Sequence, residues 1–270
     1  MLPEALYLLG IGTVVVAAMM FVLWLIHLRI ANAGIVDIGW AFGLGILGLL
    51  YAWLGPGYGP RKLMAAVMVG AWSVRLGGYL FVRTVGHPEE GRYRQLRQDW
   101  GASAPLKFLI FFEFQALLDV LLSLPFLLAC LNPRPGFTAL ELASAGLWLL
   151  AFLGESLADR QLARFKSDPA NRGQVCQAGL WNYSRHPNYF FEWMIWVAWA
   201  MFAWSSPYGP IAIICPVLML LFLFRITGIP ATEAQALRSK GEAYRRYQQT
   251  TSAFVPRFKR QAADSTQTLL

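Results

Sequence analysis

The chain has 270 residues, 57% of them hydrophobic and only 14% charged, against roughly 25% charged in an ordinary soluble domain. With a mean hydropathy of +0.45, that balance excludes a soluble globular domain and places the chain among integral membrane proteins. The net charge of +8 is met by anionic lipid headgroups and does not call for a nucleic-acid partner.

In chain order, apolar segments predict an all-α polytopic membrane protein. Seven transmembrane helices are expected, at about 6–28, 35–54, 63–83, 107–131, 139–159, 188–206 and 209–227, with six the count if a short one fails to span. The first lacks a basic n-region and is read as a mature helix rather than a signal peptide. The apolar cores of the sixth and seventh are short and span only with their flanks. A polar interfacial helix is expected at about 232–248 and a flexible tail at 261–270, closing a single domain of residues 1–260. With the N-terminus outside, nineteen Lys and Arg fall in the inside loops and tail, whereas only Arg61, Lys62 and Arg134 fall outside. The positive-inside rule then makes the C-terminus cytoplasmic.

Polar side chains recur at the cytoplasmic helix ends. Asp37 opens the second helix, Tyr79 and Arg83 close the third, Glu113 lies near the start of the fourth, Glu155 and Asp159 end the fifth and Glu192 begins the sixth. Any one of them reads as a helix-end charge at the headgroups. Together they imply a polar cavity, because each intramembrane carboxylate is costly unless hydrated or paired. Asp119 is deeper and reads as a structural hydrogen bond between helices. Trp24, Trp40, Trp72, Phe111 and Phe112 suit a flat ring or long lipid as substrate, though each alone is an ordinary core residue. Cys130, Cys176 and Cys215 show no spacing that makes a metal or disulfide framework. No Walker loop or Gly-x-Gly-x-x-Gly after a strand is present.

The densest polar segment is Gly179-Leu-Trp-Asn-Tyr-Ser-Arg-His-Pro-Asn-Tyr-Phe-Phe-Glu192. Its bland reading is a headgroup anchor built of Arg and Tyr. Its sharper reading is a ligand clamp. Glu155 and Asp159 share a helix face, as do Asn188 and Glu192, and carboxylates and amides suit ribose hydroxyls and exocyclic amines. The intervening loop, with Lys166 and Arg172, is basic and suits phosphates. Glu233, Tyr244 and the polar residues around them form either a lid or a lipid-surface helix.

These residues carry a resemblance. Gly179-Leu-Trp-Asn-Tyr183, Asn188-Tyr-Phe-Phe-Glu192 and the Tyr247–Pro256 segment resemble motifs of the steroid 5α-reductase family, especially its bacterial membrane members. The likeness runs from the second helix to Phe258 and is best from Glu155 onward. It implies a seven-helix bundle that binds NADPH from the cytosol and passes a hydride to the β-carbon of a conjugated enone. By the same resemblance Arg83, Glu155, Asp159, Lys166, Tyr183, Arg185, Asn188 and Glu192 are expected to hold or border NADPH, and the basic loop, the dense segment and the polar tail are expected to add Arg172, His186, Glu233 and Tyr244. Glu155 stands where the family has Asn and Lys166 where it has Arg. Tyr79, hydrogen-bonded to Asp37, is expected to donate to the keto oxygen, with Val36-Asp37 at the family's Gln-Glu pair. Trp40, Phe111 and Glu113 are expected to line the substrate site.

Arg185-His-Pro-Asn-Tyr189 also resembles the motif of membrane methyltransferases of the isoprenylcysteine carboxyl type, which use S-adenosylmethionine. A small transporter is the third class. The halves show no internal symmetry of the kind transporters carry. The expected setting is a multi-pass protein of a bacterial inner membrane, its site open to the cytoplasm, with the lipid bilayer and an apolar small molecule as partners and no obligate protein partner.

Overall fold

The computed structural model describes residues 2–226 and 228–259, and every regular element among them is helical. The helices are α1 (Leu2–Ile30), α2 (Ile35–Leu54), α3 (Gly59–Thr84), α4 (Gly91–Trp100), α5 (Ala104–Leu122), α6 (Leu124–Leu131), α7 (Ala139–Ser167), α8 (Pro187–Ala203), α9 (Ile214–Leu221), α10 (Ile229–Lys240) and α11 (Glu242–Thr250). Among the described residues, six helical stretches are long and apolar enough to cross a membrane: Leu2–Ile30, Ile35–Leu54, Gly59–Thr84, Gly91–Leu131, Ala139–Ser167 and Gly209–Lys240. The expected sixth span, α8, is not among them. Its 17 residues rise about 26 Å at 1.5 Å each, against roughly 30 Å of hydrocarbon.

Three other expectations are refined. The fourth span is two helices, because the chain breaks at Ser123 and restarts with Pro125, whose ring forbids an uninterrupted helical ladder. Ahead of it stands α4, a charged helix that the apolar pattern does not reveal. The single interfacial helix is two, parted at Gly241, whose φ of 53° suits a residue without Cβ. The tail expected at 261–270 lies outside the described residues.

The chain forms two compact units, Met1–Leu142 with Trp199–Cys215, and Ala143–Ala198 with Pro216–Leu270. In the first, α2 packs against α1, α3, α5 and α6. Its glycines make this possible. A Cβ on Gly39 would meet Leu23 at 2.4 Å, one on Gly43 would meet Asp119 at 2.2 Å, one on Gly45 Ser73 at 2.2 Å and one on Gly48 Val69 at 2.5 Å. Such close backbone approach replaces the hydrophobic drive that lipid cannot supply between helices. Ser73 Oγ adds a hydrogen bond to the Ala41 carbonyl at 2.9 Å.

The end of this unit away from Asp37 is locked by Arg61, read from sequence as an outside-loop charge. Arg61 is fully buried. Its Nε donates to Glu141 Oε1 at 2.5 Å, its Nη1 to the carbonyl of Arg134 at 2.8 Å and its Nη2 to the carbonyl of Gly136 at 2.6 Å. Glu141 also accepts from the Thr138 backbone N–H at 2.7 Å. A buried pair is tolerable only when its remaining donors and acceptors are satisfied in this way.

In the second unit, Phe254 packs with Leu223 and Ile229, joined by Tyr189, Phe190 and Trp193. This seats the segment after α11 against the start of α8.

Candidate active site

The first unit builds a carboxylate–phenol pair. Asp37 sits in the first turn of α2, where the helix dipole favours a negative charge. Its Oδ1 accepts a hydrogen bond from the Tyr93 hydroxyl at 2.8 Å, and its Oδ2 is ion-paired with Arg92. Arg92 also stacks over the Tyr93 ring, 4.5 Å from its centroid, and lies 3.5 Å from Glu90, which in turn pairs with Arg83. Phe111 meets the edge of the Tyr93 ring at 6.2 Å. Trp40 packs edge-on to Trp72 at 5.8 Å. Glu113 lies half-buried on α5.

The phenol that bonds Asp37 Oδ1 is that of Tyr93, a residue the sequence reading does not single out. Tyr79 is half-buried on α3, on one face with Arg83 four residues later. The reason that Tyr93 meets Asp37 is topological. After Arg83 the chain turns through residues 85–90 and returns as α4, which carries Arg92 and Tyr93 back to α2. The alternation of charge and aromatic in Gly91-Arg-Tyr-Arg94 is the trace this leaves in the sequence.

The second unit organises the dense segment. Its entry, Gly179, has φ 56° and lies so close to Gln161 that a Cβ would meet the amide nitrogen at 2.3 Å. Gln161 Oε1 accepts the Leu180 backbone N–H at 2.9 Å, and Trp181 Nε1 donates to the Ala158 carbonyl at 2.9 Å. Glu233 is the hub. It accepts from Arg185 Nε at 2.6 Å and from Gln248 Nε2 at 2.7 Å, with His186 Nε2 at 3.3 Å and the Tyr244 hydroxyl at 3.5 Å. Arg185 further donates to the carbonyls of Gln248 and Thr251 at 3.0 and 2.6 Å. Ser184 Oγ donates to the Phe254 carbonyl at 2.8 Å, and the Tyr247 hydroxyl bonds the carbonyls of Trp181 and Ser184. Burial, with the Glu233 charge nearby, raises the Tyr244 phenol above its usual range. Burial raises Tyr247 likewise, helped by Tyr244.

Of the expected cofactor residues, Arg185, His186, Glu233 and Tyr244 thus form one network, into which Arg185 directs its Nε and Nη1 donors. A second group lies at the end of α7 and the start of α8. Asn188 Nδ2 donates to Asp159 Oδ1 at 3.2 Å, while Asn188 Oδ1 is buried with no hydrogen-bond partner among the described residues. Glu155 and Glu192 are buried, and Glu192 accepts from Trp196 Nε1 at 2.8 Å. Lys166, Arg172 and Tyr183 are exposed, with Tyr183 edge-on to Phe258 at 5.7 Å. Arg83 is paired with Glu90 in the first unit. A surface depression lined by Asn132, Pro133, Arg134 and Pro207 lies at the Arg61 end of the first unit, far from Asp37, and holds none of these residues.

Residues 23–251 match the family model described as "Protein of unknown function (DUF1295)", a span that takes in both the Asp37–Tyr93 pair and the Glu233 network. The chain belongs to the DUF1295 family. This is a family of membrane proteins related to the steroid 5α-reductases. Among curated proteins, the DUF1295 chain is 29% identical over 232 residues to the uncharacterized protein C594.04c of Schizosaccharomyces pombe. The match takes in 70% of this chain and 66% of that protein's length. No solved structure matches.

Proposed function

We propose that this DUF1295 protein is a membrane-embedded, NADPH-dependent reductase of a conjugated enone C=C bond in an apolar, steroid-like or other lipid substrate. The observation that carries the reading is the Tyr93 hydroxyl held 2.8 Å from Asp37 Oδ1 and braced by Arg92. A phenol oriented by a carboxylate is a hydrogen-bond donor suited to a carbonyl oxygen on which negative charge develops. The cofactor supplies the hydride that reaches the β-carbon. Asp37 holds the phenol in place until substrate binds; Tyr93 then turns its single O–H to the keto oxygen and stabilises the charge gathering there, and a solvent proton completes the α-carbon, so one hydride and one proton saturate the bond. Arg92 pairs with Asp37 and holds it in register.

The cofactor residues belong to the second unit and are assigned from it alone. The buried, unpartnered Asn188 Oδ1 beside Asp159 fits a ligand that brings its own donors, such as ribose hydroxyls or a carboxamide. Glu155 and Glu192 border the same helices. Exposed Lys166 and Arg172 suit the 2′-phosphate that distinguishes NADPH from NADH. Arg185 and His186 act by fixing the segment through Glu233.

The charge asymmetry of the loops supports a multi-pass topology with the N-terminus outside and the Asp37 end toward the cytoplasm, in which α8 crosses as a seventh span only with the help of its flanks. A second reading, methyl transfer from S-adenosylmethionine, draws on the Arg185-His-Pro-Asn-Tyr189 segment, where His186 stacks on Tyr189 at 5.3 Å with 7° between the rings. Thermal shift of the detergent-solubilised protein separates the two, because a ligand stabilises the state that binds it. Stabilisation by NADPH, and less by NADH, is expected. Stabilisation by S-adenosylmethionine alone overturns the reductase reading.

A further inference from the structure

We infer that Glu89, which no motif or resemblance marks, is a positioning residue that holds Tyr93 onto Asp37. This role rests on the proposed part of that pair in the reaction, and its structural half stands independently of it.

The helix that carries Tyr93 has little of its own to hold it. α4 is ten residues long, has no side-chain cap at its N-terminus and buries only Tyr93. Isolated helices shorter than about 12–15 residues are marginal in water. Its placement therefore depends on ties to its neighbours, and Glu89 supplies several of them. Glu89 Oε1 accepts from the Ala33 backbone N–H at 2.8 Å and from Arg97 Nη2 at 2.8 Å, and its Oε2 accepts from Arg97 Nε at 3.1 Å. The Glu89 carbonyl accepts from Arg94 Nη2 at 2.8 Å.

The spacing gives these bonds their meaning. Ala33 stands four residues before Asp37, and Arg97 four after Tyr93, about one helical turn in each case. One carboxylate thus ties together the two backbone stretches that bring the pair into contact. Its side chain is only 9% exposed, so the bonds are little weakened by water. Asn32 secures the same loop from the other side, donating to the carbonyls of Thr84 and His87 at 3.4 and 3.2 Å. The charged and titratable groups facing Glu89 are Arg97 on α4 and His27 on α1. Arg97 is itself seated over the Phe108 ring at 5.0 Å.

The test uses the full chain in detergent, with amide hydrogen exchange read by mass spectrometry and no ligand added. Loss of a hydrogen bond to a charged group corresponds to roughly 10- to 150-fold. Glu89→Gln is expected to speed exchange of residues 91–100 by about that factor while α2 and α3 keep wild-type protection. Glu89→Asp, which keeps the charge, is expected to recover part of the loss. Unchanged exchange in α4 overturns the inference, and so does equal acceleration throughout the chain, which marks a general structural role. If Glu89→Gln does not fold, Arg97→Lys, which keeps the charge but not the fork, replaces it under the same criteria. In a second arm, enone turnover by Glu89→Gln is expected to fall by a similar factor with NADPH affinity unchanged. A wild-type protein that reduces no enone removes the reductase reading and leaves the exchange result to judge the latch.

Discussion

Tyr93→Phe removes one oxygen and little else. The ring keeps its edge contact with Phe111 and its place under Arg92, so the buried area is nearly unchanged. What goes is the 2.8 Å bond to Asp37 and, with it, the donor proposed for the keto oxygen. A hydrogen bond to a charged group contributes about 1.5–3 kcal/mol, which as a lost transition-state interaction is roughly 10- to 150-fold in kcat. The assay is steady-state oxidation of NADPH with a panel of conjugated enones, with cofactor affinity measured separately. The expected result is a fall of that size in kcat, unchanged NADPH affinity and a Tyr79→Phe variant close to wild type. Full turnover by Tyr93→Phe refutes the assignment, and its loss in Tyr79→Phe instead returns the donor to α3.

The Arg61 clamp yields a stability prediction: Arg61→Met removes the cation paired with buried Glu141 and is expected to cost about 3–5 kcal/mol, read by thermal melting, with Arg61→Met/Glu141→Leu recovering much of it. Asn188→Ala is expected to weaken NADPH binding roughly tenfold with little change in melting temperature without ligand, measured by titration calorimetry. Burial works to raise the Glu89 carboxyl, but the Arg97 fork and the Ala33 amide outweigh it and hold it below its ordinary value of 4.5. A lowered folded value means stabilisation that is complete above pH 4.5 and lost as pH falls through the folded value. Melting temperature is therefore expected to drop in acid below about pH 4.5, and the part of that drop due to Glu89 is absent in Glu89→Gln.

What the sequence reveals and what it hides divide along the range of the interactions. The apolar runs of α1, α2, α3 and α7 are visible because each satisfies its own backbone within a continuous segment. Asp37 is visible because a carboxylate at a membrane helix start is unusual. α4 is hidden because its stability comes from Glu89, Glu90 and Asp37 rather than from an apolar face. Tyr93 is hidden with it, 56 residues from its partner. Arg61 reads as one more loop charge because Glu141, which gives it meaning, is 80 residues away. The crowding of polar groups in 179–192 is legible, but its organisation around Glu233 is not. Arg185 looks like a free cation in sequence, whereas its charge is matched 48 residues along the chain.

The central claim is tested most directly by following the hydride itself. Purified protein in detergent is incubated with NADPH deuterated at the transferring C4 position and with conjugated enones of steroid and lipid type, and the products are read by mass spectrometry and NMR. The account predicts deuterium at the β-carbon of a saturated ketone, and its loss to near background in Tyr93→Phe. Methylated product from S-adenosylmethionine with no deuterium transferred to any enone contradicts it.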